Sequence, residues 1–156
     1  MKTVEFHEGG CQCGAVRYRT VGEPAKTAIC HCRYCQTRTG SAFGLSVYFA
    51  KAQLTVLQGE MRDYHFETES GRGFTNQFCV TCGTTLFWHL EMSPELVGVA
   101  GGTFDPPTFW FEVKREIFTR SAAPFVHTDL TDRFETTASY RPVKIDGAAL
   151  QGAKRG

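Results

Sequence analysis

The chain has 156 residues, 42% of them hydrophobic and 21% charged, and a formal net charge of +1. This length suits one globular domain with its own core. The near-neutral charge, with basic residues scattered along the chain, argues against nucleic acid as a partner. The apolar runs are shorter than the roughly 18 residues that span a bilayer, and the charged start MKTVEFHEGG lacks the apolar core of a secretory signal. We therefore expect a soluble cytoplasmic protein without a membrane partner.

Short strands separated by turns are the main pattern along the chain. Apolar residues alternate with polar ones in the segments AVRYRTVGE, GLSVYFA, QLTVLQGE and TTLFWHLEM, and this alternation predicts β-strands. In the last segment, Leu86, Trp88 and Leu90 are expected on one side of the strand. Glycines mark the turns between the segments, and the consecutive prolines of FDPPTF predict a loop. The chain is therefore predicted to be mainly β.

Helical signal is limited to two short segments. Residues Cys32–Thr39 and Thr131–Ser139 are each long enough for a short helical turn, and no internal repeat or linker divides the chain. We predict a single domain over residues 1–145. The small and polar residues of 146–156 predict a flexible C-terminal tail.

The cysteines carry the strongest functional signal. All seven fall in three clusters, GGCQCGAV, CHCRYC and FCVTCGTT. In a reducing cytoplasm, clustered thiols serve as metal ligands or reactive groups rather than as disulfides. The CxxCG sequence is typical of a zinc knuckle, because its turn brings two thiolates together and glycine tolerates a positive φ. In the CxC sequence, an extended strand would point both sulfurs to the same face.

A division of the seven cysteines into four and three fits the coordination chemistry of zinc. The two outer clusters can complete one tetrahedral structural site: Cys11, Cys13, Cys79 and Cys82. Such a site would join the N-terminal strand to a distant hairpin. The central cluster supplies three ligands and leaves one position open, as catalytic zinc sites do: Cys30, Cys32 and Cys35. We therefore predict two Zn²⁺ ions per chain, one structural and one catalytic.

Two other arrangements of ligands remain open from the sequence. In the first, the central cluster joins one of the outer pairs. In the second, a distant histidine closes the three-cysteine site; the chain has five histidines, His7, His31, His65, His89 and His127. His31 lies between two predicted ligands, and in an extended stretch its side chain would point away from theirs.

The predicted open site favours the chemistry of thiols. Three thiolates around Zn²⁺ carry a net charge of −1, so the site binds a further soft ligand better than it activates water. A bound thiol would be held as a thiolate, which attacks carbonyl carbon. The sequence therefore predicts addition of a small thiol to an aldehyde, or the reverse cleavage of a carbon–sulfur bond.

Four sequence elements in this order resemble one known family: GGCQCGAVRY, CHCRYCQTRTGSAF, FCVTCGTTLF and GTFDPP. They are similar to the glutathione-dependent formaldehyde-activating enzyme family, which includes centromere protein V, and the resemblance runs from Gly9 to Leu130. It implies a single Mss4-like, zinc-containing β domain with the same two cysteine sets, the central one catalytic. It also implies a carbon–sulfur lyase that condenses formaldehyde with glutathione to S-hydroxymethylglutathione. The implied partners are a glutathione-like thiol and an aldehyde.

Some positions depart from the family pattern or are further candidates for the substrate pocket. Gln36, Thr85 and Phe125 differ from residues common in the family, and Gln36 and Phe125 are expected to influence the pocket. Arg33 and Arg38 are candidates for binding a substrate carboxylate. The segment GSAF, residues 40–43, is a candidate for the pocket wall or simply a turn into the next strand.

Two non-enzymatic functions also fit the cysteine pattern. One is an interaction module in which both zinc ions are structural and the surface binds a protein or nucleic acid. The other is a metal-storage or redox-sensing protein that uses the central thiolates, because exposed thiolates are readily oxidised.

Overall fold

The computed structural model describes residues 3–137 and 140–142. The described residues form ten strands, one α-helix and three short 3₁₀ turns. In chain order these strands and the helix are β1 Phe6–Gly10, β2 Arg17–Val21, β3 Lys26–Cys30, α1 Arg33–Thr39, β4 Gly44–Ala50, β5 Leu54–Gln58, β6 Met61–Glu67, β7 Gly73–Cys79, β8 Thr85–Leu90, β9 Leu96–Ala100 and β10 Glu116–Ile117. The prediction of a mainly β fold with short helical turns is confirmed.

The strands form two sheets. The smaller sheet has the order β1–β2–β5, and the larger one has the order β10–β3–β4–β9–β8–β7–β6. Neighbouring strands are antiparallel, except for the short parallel pair of β10 with β3. The parallel pair matters for the site, because it brings the C-terminal part of the chain beside the strand that ends in Cys30.

The core lies between the smaller sheet and one face of the larger sheet. Val16, just before β2, and Tyr18 of β2 are fully buried, as are Val47 and Phe49 of β4. The ring of Tyr18 packs edge-on against Phe87 with 5.0 Å between centroids. These four buried residues confirm the alternation predicted for β4 and for the AVRYRTVGE segment. Burial of such apolar side chains stabilises the fold by roughly 1.5–3 kcal/mol each.

The opposite face of the larger sheet carries a row of cross-strand neighbours. Tyr48 pairs with Gly98, Gly98 with Trp88, and Trp88 with Asn76. A Cβ atom at Gly98 would lie 2.1 Å from Trp88 Nε1, so only glycine lets the indole lie flat at this point. This face therefore presents polar and aromatic groups away from the core.

Two details differ from the sequence predictions. The register of β7 against β8 shifts between Gln77 and Phe78, which leaves Leu86 as an extra residue. Leu86 consequently packs in the core, whereas Trp88 and Leu90 face the other side of the sheet. The helical turn predicted over Thr131–Ser139 is wrong for Thr131–Thr137, where the chain is irregular; residues 138 and 139 are not described.

The predicted tail, residues 146–156, lies outside the described residues, so the domain boundary at residue 145 stays a prediction. Within the described part of the chain, no helix is both long enough and apolar enough to cross a membrane.

Candidate metal centres and active-site cavity

Two turns from distant parts of the chain bring four sulfurs together. The Sγ atoms of this four-cysteine group all lie within 4.8 Å of one another: Cys11, Cys13, Cys79 and Cys82. Cys13 Sγ is 3.5 Å from Cys11 Sγ and 3.8 Å from Cys79 Sγ. Two thiolates bound at ~2.3 Å to a tetrahedral zinc lie roughly 3.8 Å apart. The four sulfurs therefore fit a closed zinc site.

Tight turns, not extended strands, position these sulfurs. Cys11 and Cys13 lie in the turn after β1, where Gly14 N–H donates to the Cys11 carbonyl at 3.0 Å. The expectation that a strand would align the CxC pair is wrong, since the chain reverses here. After β7, Gly83 has φ +77° and its N–H donates to the Cys79 carbonyl at 2.9 Å. The positive φ predicted from the CxxCG sequence is confirmed.

Hydrogen bonds within these turns favour the thiolate form of Cys11 and Cys82. The backbone N–H of Val16 donates to Cys11 Sγ at 3.2 Å. The positive end of this N–H dipole stabilises a negative charge on the sulfur. The Thr84 hydroxyl lies 3.2 Å from Cys82 Sγ, and the hydroxyl and backbone N–H of Thr84 lower the pKa of Cys82 to about 5. Thiolates are the form in which cysteine binds zinc.

The three-cysteine group lies at the junction of β3 and α1, and its members are Cys30, Cys32 and Cys35. Their Sγ atoms also lie within 4.8 Å of one another. Cys30 is the last residue of β3, and Cys32 caps α1 by accepting the Cys35 N–H at 3.4 Å. Gly44 leaves room for the group, since a Cβ atom there would lie 3.0 Å from the Cys35 Cβ. The three sulfurs thus come together because one cysteine ends a strand, the next caps the helix and the third lies in the first turn of that helix.

A guanidinium group lies beside the three sulfurs. Arg38, one turn along α1 from Cys35, has its guanidinium carbon 4.0 Å from the centre of the Trp88 ring. Hydrogen bonds from Cys30 and Cys32 hold the pKa of Cys35 well below its usual value despite burial, and the positive charge of Arg38 lowers it further. At least one of the three neighbouring thiols, Cys35, therefore has a pKa well below that of an ordinary cysteine.

Histidine takes no part in either cysteine group among the described residues. His31, the candidate nearest in sequence, is fully buried and its Nε2 lies 2.6 Å from Glu116 Oε1. Glu116 Oε2 accepts a hydrogen bond from the Thr128 hydroxyl at 2.7 Å and forms an ion pair with Arg133 Nε at 3.0 Å. His31 thus connects the three-cysteine segment to β10 instead of closing the site.

The three-cysteine group opens onto a cavity of about 210 Å³. The floor of the cavity is the face of the larger sheet that points away from the core. Its side chains are those of Tyr48, Phe66, Phe74, Asn76 and Trp88. Two polar atoms in its wall, Asn76 Oδ1 and Arg38 Nη2, are buried without a hydrogen-bond partner in the described chain. The cavity therefore offers unsatisfied polar groups in an otherwise aromatic surround.

The C-terminal segment covers one side of this cavity. Phe118 and Tyr140 line it, with their rings edge to face at 5.6 Å. The Tyr140 hydroxyl donates to Glu69 Oε1 at 2.7 Å and accepts from Arg120 Nη2 at 2.9 Å. These bonds fasten the cover to the turn between β6 and β7.

Only one of the four remaining candidate residues from the sequence lines this cavity. Arg38 lines it, whereas Arg33 does not and donates to Gln36 Oε1 at 3.1 Å. Gln36 and Phe125 do not line the cavity, and their expected influence on it stays a prediction. Gln36 Nε2 instead bonds the Ser121 carbonyl at 3.0 Å, and Phe125 is 76% exposed.

The GSAF segment serves as a turn. Gly40 ends α1 with φ +63°, and Phe43 packs against the ring of His31 at 6.0 Å. The residues that sequence reasoning missed are those of the cavity floor, above all Tyr48 and Asn76. Their only signal in the sequence is strand alternation, which places Tyr48 opposite the core but does not say what lies there.

The sequence matches the family model described as "Glutathione-dependent formaldehyde-activating enzyme" over residues 6–121, a range that includes all seven cysteines. Among solved structures, the chain is similar to a crystal structure of a Rhodobacter sphaeroides protein, with a TM-score of 0.50 and 26% sequence identity. That match covers 68% of this chain and 96% of the Rhodobacter chain. The family match extends over well more than half of the chain and contains both cysteine groups. The protein therefore belongs to the glutathione-dependent formaldehyde-activating enzyme family.

Proposed function

We propose that this protein is a zinc-dependent carbon–sulfur lyase that joins a small thiol to an aldehyde, with glutathione and formaldehyde as the first pair to test. The observation that carries the proposal is that three convergent cysteine sulfurs form part of a cavity wall. A thiol substrate in the cavity would meet them directly. The family match supports the same pair of substrates.

The proposal assigns different roles to the two cysteine groups. Cys11, Cys13, Cys79 and Cys82 would hold a structural zinc, since their sulfurs fit a tetrahedron and none of them lines the cavity. Cys30, Cys32 and Cys35 would hold the catalytic zinc. When bound there, zinc supplies a soft Lewis acid that keeps a substrate thiol in its thiolate form.

The other residues of the cavity would prepare the substrate. Arg38 adds positive charge beside three sulfurs, which offsets the repulsion a further thiolate meets there. The aromatic floor and the cover by Phe118 and Tyr140 limit the water that reaches the reacting carbon. Less water around Arg38 also strengthens its electrostatic effect.

An interaction module with two structural zinc ions is the second candidate. It would gain nothing from a three-cysteine group that opens onto a cavity with unpaired polar atoms. The near-neutral charge of the chain gives it no support as a nucleic-acid binder either.

Zinc content and turnover test the proposal together. We expect about two zinc ions per wild-type chain, and thiol-dependent formaldehyde consumption faster than the uncatalysed reaction of the same mixture. Cys32→Ala is expected to lose one zinc and the activity while it stays folded. A zinc-loaded wild type that consumes formaldehyde no faster than glutathione alone would refute the lyase.

A further inference from the structure

Tyr48 holds its phenol oxygen in the cavity with one hydrogen bond already made. Trp88 Nε1 lies 3.0 Å from the Tyr48 oxygen, and an indole N–H can only donate. The phenol oxygen is therefore the acceptor in this pair, and its own proton remains available. Within the described residues no acceptor receives that proton, although the side chain lines the cavity.

The surroundings fix the phenol in place. Tyr48 and Trp88 both pair with Gly98, from either side, and their rings meet edge to face at 6.1 Å. The absence of a side chain at Gly98 lets the indole reach across the strand to the phenol. Arg38 stacks on the same indole, with its guanidinium carbon 4.0 Å from the ring centre. The donor is thus held by groups on three elements, as a preorganised catalytic donor must be.

The phenol is also close to the cysteines and is protonated at neutral pH. Burial raises the pKa of Tyr48, and the negative charges of Cys35 and Cys30 act in the same direction. The protonated phenol shares the cavity with the three cysteine sulfurs and is an available hydrogen-bond donor there.

We propose that Tyr48 is a catalytic residue that donates its phenol proton to the aldehyde oxygen as the carbon–sulfur bond forms. This assignment rests on the proposed thiol–aldehyde reaction and adds the group that handles the oxygen. The substrate class that follows is a carbonyl compound, or its adduct with a thiol, whose oxygen can reach Tyr48.

Every proton and electron pair in this step is accounted for. The substrate thiol loses its proton and attacks the carbonyl carbon as a thiolate, which forms the C–S bond. The carbonyl π electrons move to oxygen, which takes the proton of Tyr48 and becomes a hydroxyl group. The proton released by the thiol then returns to the Tyr48 oxygen through water. In the reverse direction, the tyrosinate accepts the hydroxyl proton as the C–S bond breaks.

Tyr48→Phe tests this role in the zinc-loaded, full-length protein. It removes one oxygen and keeps the ring that packs against Trp88. We expect kcat to fall on the order of 100-fold, with zinc content and the dissociation constant for glutathione alone close to wild type. The melting temperature should fall by a few degrees, because the buried Trp88 N–H loses its acceptor. The matched control is Tyr64→Phe, because Tyr64 pairs with Asn76 in the same row but is 60% exposed and does not line the cavity. Its kcat is expected to equal that of the wild type.

A second variant keeps the phenol and disturbs only its orientation. Trp88→Phe removes the N–H that donates to Tyr48, and we expect a smaller loss in kcat, about threefold to tenfold. This variant also decides the question if Tyr48→Phe does not fold. A kcat within twofold of wild type for folded Tyr48→Phe, or for Trp88→Phe where Tyr48→Phe does not fold, would overturn the role of Tyr48.

Equilibrium binding separates this inference from the proposed function. Calorimetric titration with an equilibrated glutathione–formaldehyde mixture should show binding about threefold to tenfold tighter than with glutathione alone, and Tyr48→Phe should abolish the difference. If the wild type shows this difference but no turnover, the lyase fails and the oxygen-binding role of Tyr48 stands. If it turns over and Tyr48→Phe turns over equally fast, the lyase stands and Tyr48 fails. Neither turnover nor a binding difference would refute both.

Discussion

The two cysteine groups use the same side chain in different surroundings. The four-cysteine group joins two turns that are far apart in the chain, and no member lines the cavity. The three-cysteine group is local in sequence, and all its members line the cavity beside a guanidinium group. The two groups therefore differ in more than their number of sulfurs. The neighbouring empty space and charge make the difference.

The largest expected contrast is in folding stability. Cys82→Ala should destabilise the protein on the order of 5 kcal/mol or more, because loss of the metal would release the turn after β1 from the turn after β7. Cys32→Ala should cost about 1 kcal/mol, mainly the lost cap of α1. Denaturant unfolding of both variants, each with zinc supplied in excess to its remaining cysteine group, measures the contrast. Equal stability for the two variants would contradict the division into structural and catalytic groups.

A buried carboxylate gives the next largest effect. Glu116→Gln should destabilise the protein by about 2 kcal/mol, because the buried contact with His31 and the contact with the half-exposed Arg133 lose their negative charge. Burial alone would raise the pKa of Glu116, but hydrogen bonds from Thr128 and His31 and the charge of Arg133 together lower it.

The sign of its pH dependence follows from that lowered pKa. The stabilisation by Glu116 is complete above the pKa of an unfolded glutamate, ~4.3, and is lost as the pH falls through the lower folded-state pKa. Unfolding curves between about pH 3 and pH 7 should therefore converge for wild type and Glu116→Gln at the acid end. Curves that stay parallel over this range would show that Glu116 contributes no charge-dependent stability.

The smallest expected effect comes from removing the positive charge of Arg38 beside the three-cysteine group. Arg38→Met keeps apolar contact with Trp88 but removes the positive charge, so kcat/KM for the thiol should fall roughly tenfold. Arg33→Met on the same helix is the control, since Arg33 does not line the cavity. Steady-state rates at several thiol concentrations check this. Equal losses for the two variants would point to a general effect on α1 and not to the charge at the cavity.

The local parts of the site were predictable because short spacings decide them. A CxxCG turn needs a glycine with positive φ whatever the rest of the chain does, and Gly83 has it. Cys30, Cys32 and Cys35 are so close in sequence that a strand end followed by a helical turn brings them together. The mainly β class followed from alternation, which holds wherever one face of a strand is buried. The CxC pair was also grouped correctly, although a turn and not a strand positions it.

Only the tertiary structure decided what lies next to the sulfurs. Tyr48, Asn76, Trp88 and Gly98 come from four strands, and their meeting in one row depends on the register of three strand pairs. Long-range packing sets that register, including the irregularity that turns Leu86 into the core and leaves Trp88 on the other face. The sequence by itself thus determined the two cysteine groups and the β class. The cavity, its phenol and its unpaired polar atoms exist only because distant strands pair, and no local rule encodes such pairing.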